Sequence, residues 1–89
     1  MITKDIEIIN KLGLHARAAA KLVETSKRYA CSVTVSKDGE AVDGKSILGI
    51  LMLAAAKGSM ITVVTDGEDE ESAMNAVEEL ILDYFGEGE

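Results

Sequence analysis

Along this chain the period of the apolar residues switches repeatedly between strand-like and helix-like, and neither lasts long. That pattern points to a chain of mixed strands and helices, and 89 residues supply one core only, which excludes a multidomain enzyme. Ile2, Ile6 and Ile8 fall on one side at period two, as a half-buried strand requires. After the turn-like Asn10 to Gly13, the alanine-rich run Ala16 to Arg28 places Ala19, Leu22, Val23 and Ser26 at helical spacing. Val33 and Val35 restore the alternation, Asp38-Gly39 is a two-residue hairpin signal, and Ala41 and Val42 begin the return arm. Gly44 breaks the chain, Ser46 is a good N-cap, and Ile47, Leu48, Ile50, Leu51 and Met52 predict a short helix that is apolar nearly all round. Met60 to Thr65 is β-rich and ends at Asp66-Gly67. Ala73, Ala76, Val77, Leu80, Ile81 and Tyr84 then follow the i, i+3, i+4 rule, with acids in the first turn where the dipole favours them. The order βαββαβα predicts an α+β open-faced sandwich, a four-stranded and mostly antiparallel sheet with three helices on one face, as a single domain over 1–89. The glycine-rich tail from Gly86 to Glu89 reads as frayed.

Charge is distributed unevenly. The formal net charge is −7, yet Asn10 to Arg28 holds Lys11, Arg17, Lys21, Lys27 and Arg28 against Glu24 alone, while Asp66 to Glu89 holds ten acids and no base. An acidic total argues against a general nucleic-acid binder. The basic segment also contains the only histidine, so it reads either as a site for an anion or acidic partner, or simply as a solvated helix face. The longest apolar stretch, Ile47 to Ala56, is too short to span a membrane. Cys31 is alone, nothing at the start resembles a signal peptide, and a soluble cytoplasmic protein is expected. One histidine and one cysteine are too few for a metal site, no catalytic triad can be assembled, and no cofactor is implied.

The segment with chemical content is Gly13-Leu14-His15-Ala16-Arg17-Ala18. His15 stands where a loop becomes a helix, so the free N–H groups of Ala16, Arg17 and Ala18 should point toward its ring. An imidazole is mostly neutral near pH 7, so one ring nitrogen has a lone pair to offer phosphorus. The oxygens of a transferred phosphoryl group would land among those amides and near the guanidinium of Arg17. A histidine that only caps or packs at a helix end fits the same residues.

Gly13-Leu14-His15-Ala16-Arg17 resembles the active-site motif of the HPr family, the histidine-containing phosphocarriers of the bacterial phosphoenolpyruvate-dependent phosphotransferase system. Gly44-Lys45-Ser46-Ile47-Leu48-Gly49 resembles the segment around that family's regulatory serine, and the likeness extends over essentially the whole chain. The resemblance implies that His15 takes a phosphoryl group on Nδ1 from Enzyme I and passes it to EIIA domains, with Arg17 stabilising it. On that reading the protein is a carrier and co-substrate, expected as a monomer, rather than an independent enzyme. Ser46 would be the site of an HPr kinase/phosphorylase, although a plain N-cap worth about 1 kcal/mol explains a serine there as well. The family likeness sets the short helix beside His15, so Leu48 and Met52, ringed by Lys21 and Lys45, would dock both partners; apolar residues at helical spacing are otherwise core. The sequence departs from the common family pattern at Ala18, where most members have proline; alanine restores an N–H and leaves the chemistry in place. Two alternatives stand beside the sugar-transport carrier: a regulatory paralogue, as in a nitrogen-type phosphorelay, and a module that binds a free anion reversibly.

Overall fold

In the computed structural model, which describes residues 1–89, the period-two segments form strands β1 (Ile2–Glu7), β2 (Ser32–Lys37), β3 (Glu40–Asp43) and β4 (Met60–Asp66). They make one sheet in the order β1-β4-β2-β3, and every pairing is antiparallel. Register follows the sequence. Ile6 lies opposite Ile61 and Val35 opposite Val63, which brings the apolar side chains onto one face. The β2–β3 hairpin turns at Asp38 and Gly39, whose φ values of 52° and 82° are the left-handed pair that a tight hairpin needs.

Helices α1 (Ala16–Lys27), α2 (Ile47–Met52) and α3 (Glu70–Leu82) cover that face. Ala18, Ala19, Leu22 and Val23 of α1, Ile50 of α2, and Ala73, Met74, Val77 and Ile81 of α3 meet Ile6, Val33, Val35, Ile61 and Val63 of the sheet. No helix is long and apolar enough to cross a membrane. Asp69, just before α3, accepts from the amides of Ala30 at 2.8 Å and Cys31 at 2.9 Å, tying the start of α3 to the end of the α1–β2 connection. These bonds, the one from Ala30 foremost, hold its carboxyl below the usual aspartate value. Cys31 is buried, and burial pushes its thiol up.

The C-terminus differs from the sequence expectation. Helix α3 stops at Leu82, and Tyr84–Gly86 forms a 3₁₀ turn in which Tyr84 and Phe85 have φ of 57° and 53°. Tyr84, placed by periodicity on the buried stripe, is 38% exposed, and Phe85 is fully buried in its stead. Nor is the tail frayed. Lys21 Nζ donates to the Phe85 carbonyl, Asn10 Nδ2 to Glu87 Oε1 at 3.0 Å, and the Lys11 amide to the Glu89 carbonyl at 3.0 Å. An aromatic anchor and three cross-chain bonds outweigh the flexibility that two glycines suggest.

Candidate functional site

The loop between β1 and α1 is shaped by two residues. Asn10 is fully buried and its Nδ2 donates to the Gly13 carbonyl at 2.8 Å, closing a turn. Gly13 has φ of 65°, and a Cβ there would lie 2.5 Å from the Ala55 oxygen and 2.9 Å from the Ala56 Cα. Only glycine allows that approach. The Leu14 amide then donates to Ala55 at 2.8 Å, which sets the start of α1 beside the segment that leaves α2.

Held in this way, His15 is the N-cap of α1, with an extended backbone at φ −78° and ψ −178°. Its ring is used at both nitrogens. The Arg17 amide donates to Nδ1 at 3.3 Å, and Nε2 lies 2.5 Å from Oε2 of Glu87. Because an amide N–H can only donate, Nδ1 carries the lone pair. The amides of Ala16 and Ala18 donate to no backbone acceptor, so the open end of α1 retains free donors around the ring. Arg17 is exposed and enters none of the ion pairs of the molecule. The site therefore joins a lone-pair nitrogen, free amides and an uncommitted guanidinium, as phosphoryl transfer to nitrogen requires.

Burial alone would push the Glu87 carboxyl up. The hydrogen bonds from Asn10 and His15, with the nearby charge of Lys21, outweigh it and hold the group below the usual glutamate range. No set of three His, Cys, Asp or Glu side chains is arranged to hold a metal.

Helix α2, whose following segment accepts from the Leu14 amide, has one buried and one open side. Ile50 is fully buried, whereas Leu48 is 69% and Met52 67% exposed; Ile47 and Leu12 add to the exposed apolar area. Ser46 caps the helix, its Oγ accepting from the Gly49 amide at 3.2 Å. The two expected rim lysines are tethered. Lys21 reaches the Phe85 carbonyl, and Lys45 reaches Tyr29 at 2.8 Å, toward the end of α1 remote from His15. A groove lined by Thr25, Arg28, Ala76, Glu79, Leu80 and Asp83 lies about 15 Å further along α1 and plays no part in the centre. Leu12, Asn10 and Glu87 carry no local sequence signal for this site, and Glu87 is 72 positions from His15.

The family described as "PTS HPr component phosphorylation site" matches residues 2–83. The chain belongs to the HPr family. It is 55% identical over 89 residues to the phosphocarrier protein HPr of Neisseria meningitidis serogroup A, covering all of both chains. The crystal structure of HPr-C-His from Thermoanaerobacter tengcongensis superposes with a TM-score of 0.95 at 42% identity, covering 98% of each chain. A crystal structure of an HPr dimer from the same organism has a TM-score of 0.79 at 44% identity, covering 92% of this chain and 94% of that one. The α+β reading and its element order are borne out, and the chain acts as a phosphocarrier in the relay of the phosphotransferase system.

Proposed function

We propose that His15 is the phospho-acceptor and that Nδ1 is the atom that bonds phosphorus. The observation that carries this is the Arg17 amide donating to Nδ1 at 3.3 Å, which leaves that nitrogen the lone-pair atom at the open end of α1. In the transfer, the Nδ1 lone pair forms an N–P bond while the N–P bond of a phosphohistidine on Enzyme I breaks, its electron pair returning to the donor ring. No proton need move. The arriving oxygens take hydrogen bonds from the amides of Ala16, Arg17 and Ala18, and the exposed guanidinium of Arg17 closes over them. The reverse step delivers the group to a histidine of an EIIA domain in sugar transport.

Leu48 and Met52, with Leu12 and Ile47, form the docking face for both partners, since exposed apolar groups beside the acceptor suit a surface that must fit two proteins. Lys21 and Lys45, tethered at Phe85 and Tyr29, are the rim cations of that face, Lys45 at the end remote from His15. Ser46 is the control site of a kinase/phosphorylase: a phosphate there adds about −1.5 to −2 charges beside the docking face and opposes acidic partners. The carrier acts as a cytoplasmic monomer.

Incubation with phosphoenolpyruvate and Enzyme I, followed by intact-mass measurement, tests the reading. One acid-labile phosphoryl group is expected on the wild type and none on His15→Ala. An unmodified wild type that binds inorganic phosphate saturably would instead establish the reversible anion-binding module.

A further inference from the structure

Glu87 comes from the far end of the chain to the ring of His15, and nothing in the transfer as derived uses it. Its carboxylate lies where two donors converge: Asn10 Nδ2 reaches Oε1 at 3.0 Å and His15 Nε2 lies 2.5 Å from Oε2. Asn10 is fully buried, and its orientation is fixed because Nδ2 also donates to the Gly13 carbonyl at 2.8 Å. Two fixed donors need two acceptor oxygens, and among side chains only a carboxylate supplies them without presenting a donor of its own. The Glu87 side chain is 11% exposed, and the tail that bears it is anchored by Phe85 and by the Lys21 and Lys11 bonds. The carboxylate is therefore a built part of the centre.

We infer that Glu87 is a positioning residue that holds the His15 proton on Nε2, so that Nδ1 alone is nucleophilic and the ring's developing positive charge is compensated during transfer. This rests on the reading that Nδ1 of His15 accepts the phosphoryl group. A carboxylate accepts and cannot donate, so the ring must turn a protonated Nε2 toward it. As the N–P bond forms, electron density leaves the ring and Nε2–H becomes more acidic. Glu87 then strengthens its hold without taking the proton, as a carboxylate does for any histidine it orients. On delivery to the acceptor, the electron pair of the breaking N–P bond returns to Nδ1. The proton is still on Nε2, and the neutral tautomer is regenerated ready for the next cycle.

The test is nitrogen-15 NMR of the His15 ring in the full-length protein, combined with the rate of phosphorylation by phospho-Enzyme I. Wild type should give one ring tautomer, Nε2 protonated and Nδ1 bare. In Glu87→Ala the Arg17 amide still favours a bare Nδ1, so the second tautomer should rise to a measurable minor fraction, and phosphorylation should slow by about tenfold, the loss of one charge-assisted hydrogen bond. Glu87→Gln, with one oxygen for two donors, should lie between them. Phe85 stays in place in both variants, so the backbone spectrum away from the 10–17 loop and the tail should be unchanged. A Glu87→Ala ring with wild-type nitrogen shifts overturns the inference. So does faster phosphorylation, which would make Glu87 a barrier to the incoming group. If the wild type itself takes no phosphoryl group on His15, the carrier reading fails instead, whatever the ring spectrum.

Discussion

Replacing Gly13 by alanine isolates the contact that aims His15. Two costs add at this position. With φ at 65°, an alanine in the left-handed region loses about 1–2 kcal/mol. The new Cβ would also stand 2.5 Å from the Ala55 oxygen and 2.9 Å from the Ala56 Cα. Both are main-chain atoms, so the loop after α2 must move, at about 1–3 kcal/mol for overpacking of this kind. Gly39→Ala is the control, because φ there is 82° and nothing lies within 4 Å of the added atom. Any gain from a stiffer unfolded chain is common to both variants and cancels in their difference. Urea or thermal unfolding should place Gly13→Ala about 1–3 kcal/mol below Gly39→Ala, roughly 4–24 °C in Tm for a domain of this size. Phosphorylation of His15 should slow in Gly13→Ala and not in Gly39→Ala, since only the former shifts the segment that presents the ring. Equal losses in the two variants would refute the argument that close backbone approach shapes the site.

Other expectations follow from the same structure. Phe85→Ala removes a fully buried aromatic side chain and should cost about 3–5 kcal/mol in unfolding experiments, with the tail becoming sensitive to proteolysis. Ser46→Ala should cost about 1 kcal/mol through the lost cap, while Ser46→Asp should fold and yet accept phosphoryl from Enzyme I more slowly, because charge rather than capping opposes docking. Asp69 has a folded pKa held below its ordinary value of 3.8, so its contribution to stability is present above that pH and is lost as the pH falls below it. Asp69→Asn should therefore flatten the acid limb of a stability–pH curve; an unchanged limb would remove Asp69 from the account. Leu48→Asp and Met52→Asp should leave unfolding curves nearly unchanged, because both side chains are mostly exposed, and should raise the KM for this protein as a substrate of Enzyme I.

The parts legible in the sequence were those set by local rules. Alternation gave the faces of β1 and β2, Asp38-Gly39 gave the hairpin, and Ser46 and the helical spacing gave α1 and α2, because each depends on residues a few positions apart. His15 and Arg17 could be read for the same reason, since a helix start needs only its own amides. The C-terminus could not. Periodicity carries Tyr84 onto the buried stripe, but the chain leaves the helix after Leu82 at two left-handed residues and buries Phe85 instead. Gly86 and Gly88 read as flexible because composition does not reveal an anchor. The link from Glu87 to His15 and Asn10 is made only by tertiary folding, across more than seventy positions. Leu48 and Met52 were undecided on spacing alone, and only the burial of Ile50 shows which side of α2 is core.

On the reading proposed above, Nδ1 of His15 forms and releases the bond to phosphorus. The most direct measurement is phosphorus–nitrogen coupling in protein labelled with nitrogen-15 in its single histidine and phosphorylated through Enzyme I. A one-bond coupling to Nδ1, lost when an EIIA domain is added, is the expected result. A coupling to Nε2, or phosphorus bonded to any residue other than His15, would contradict the account.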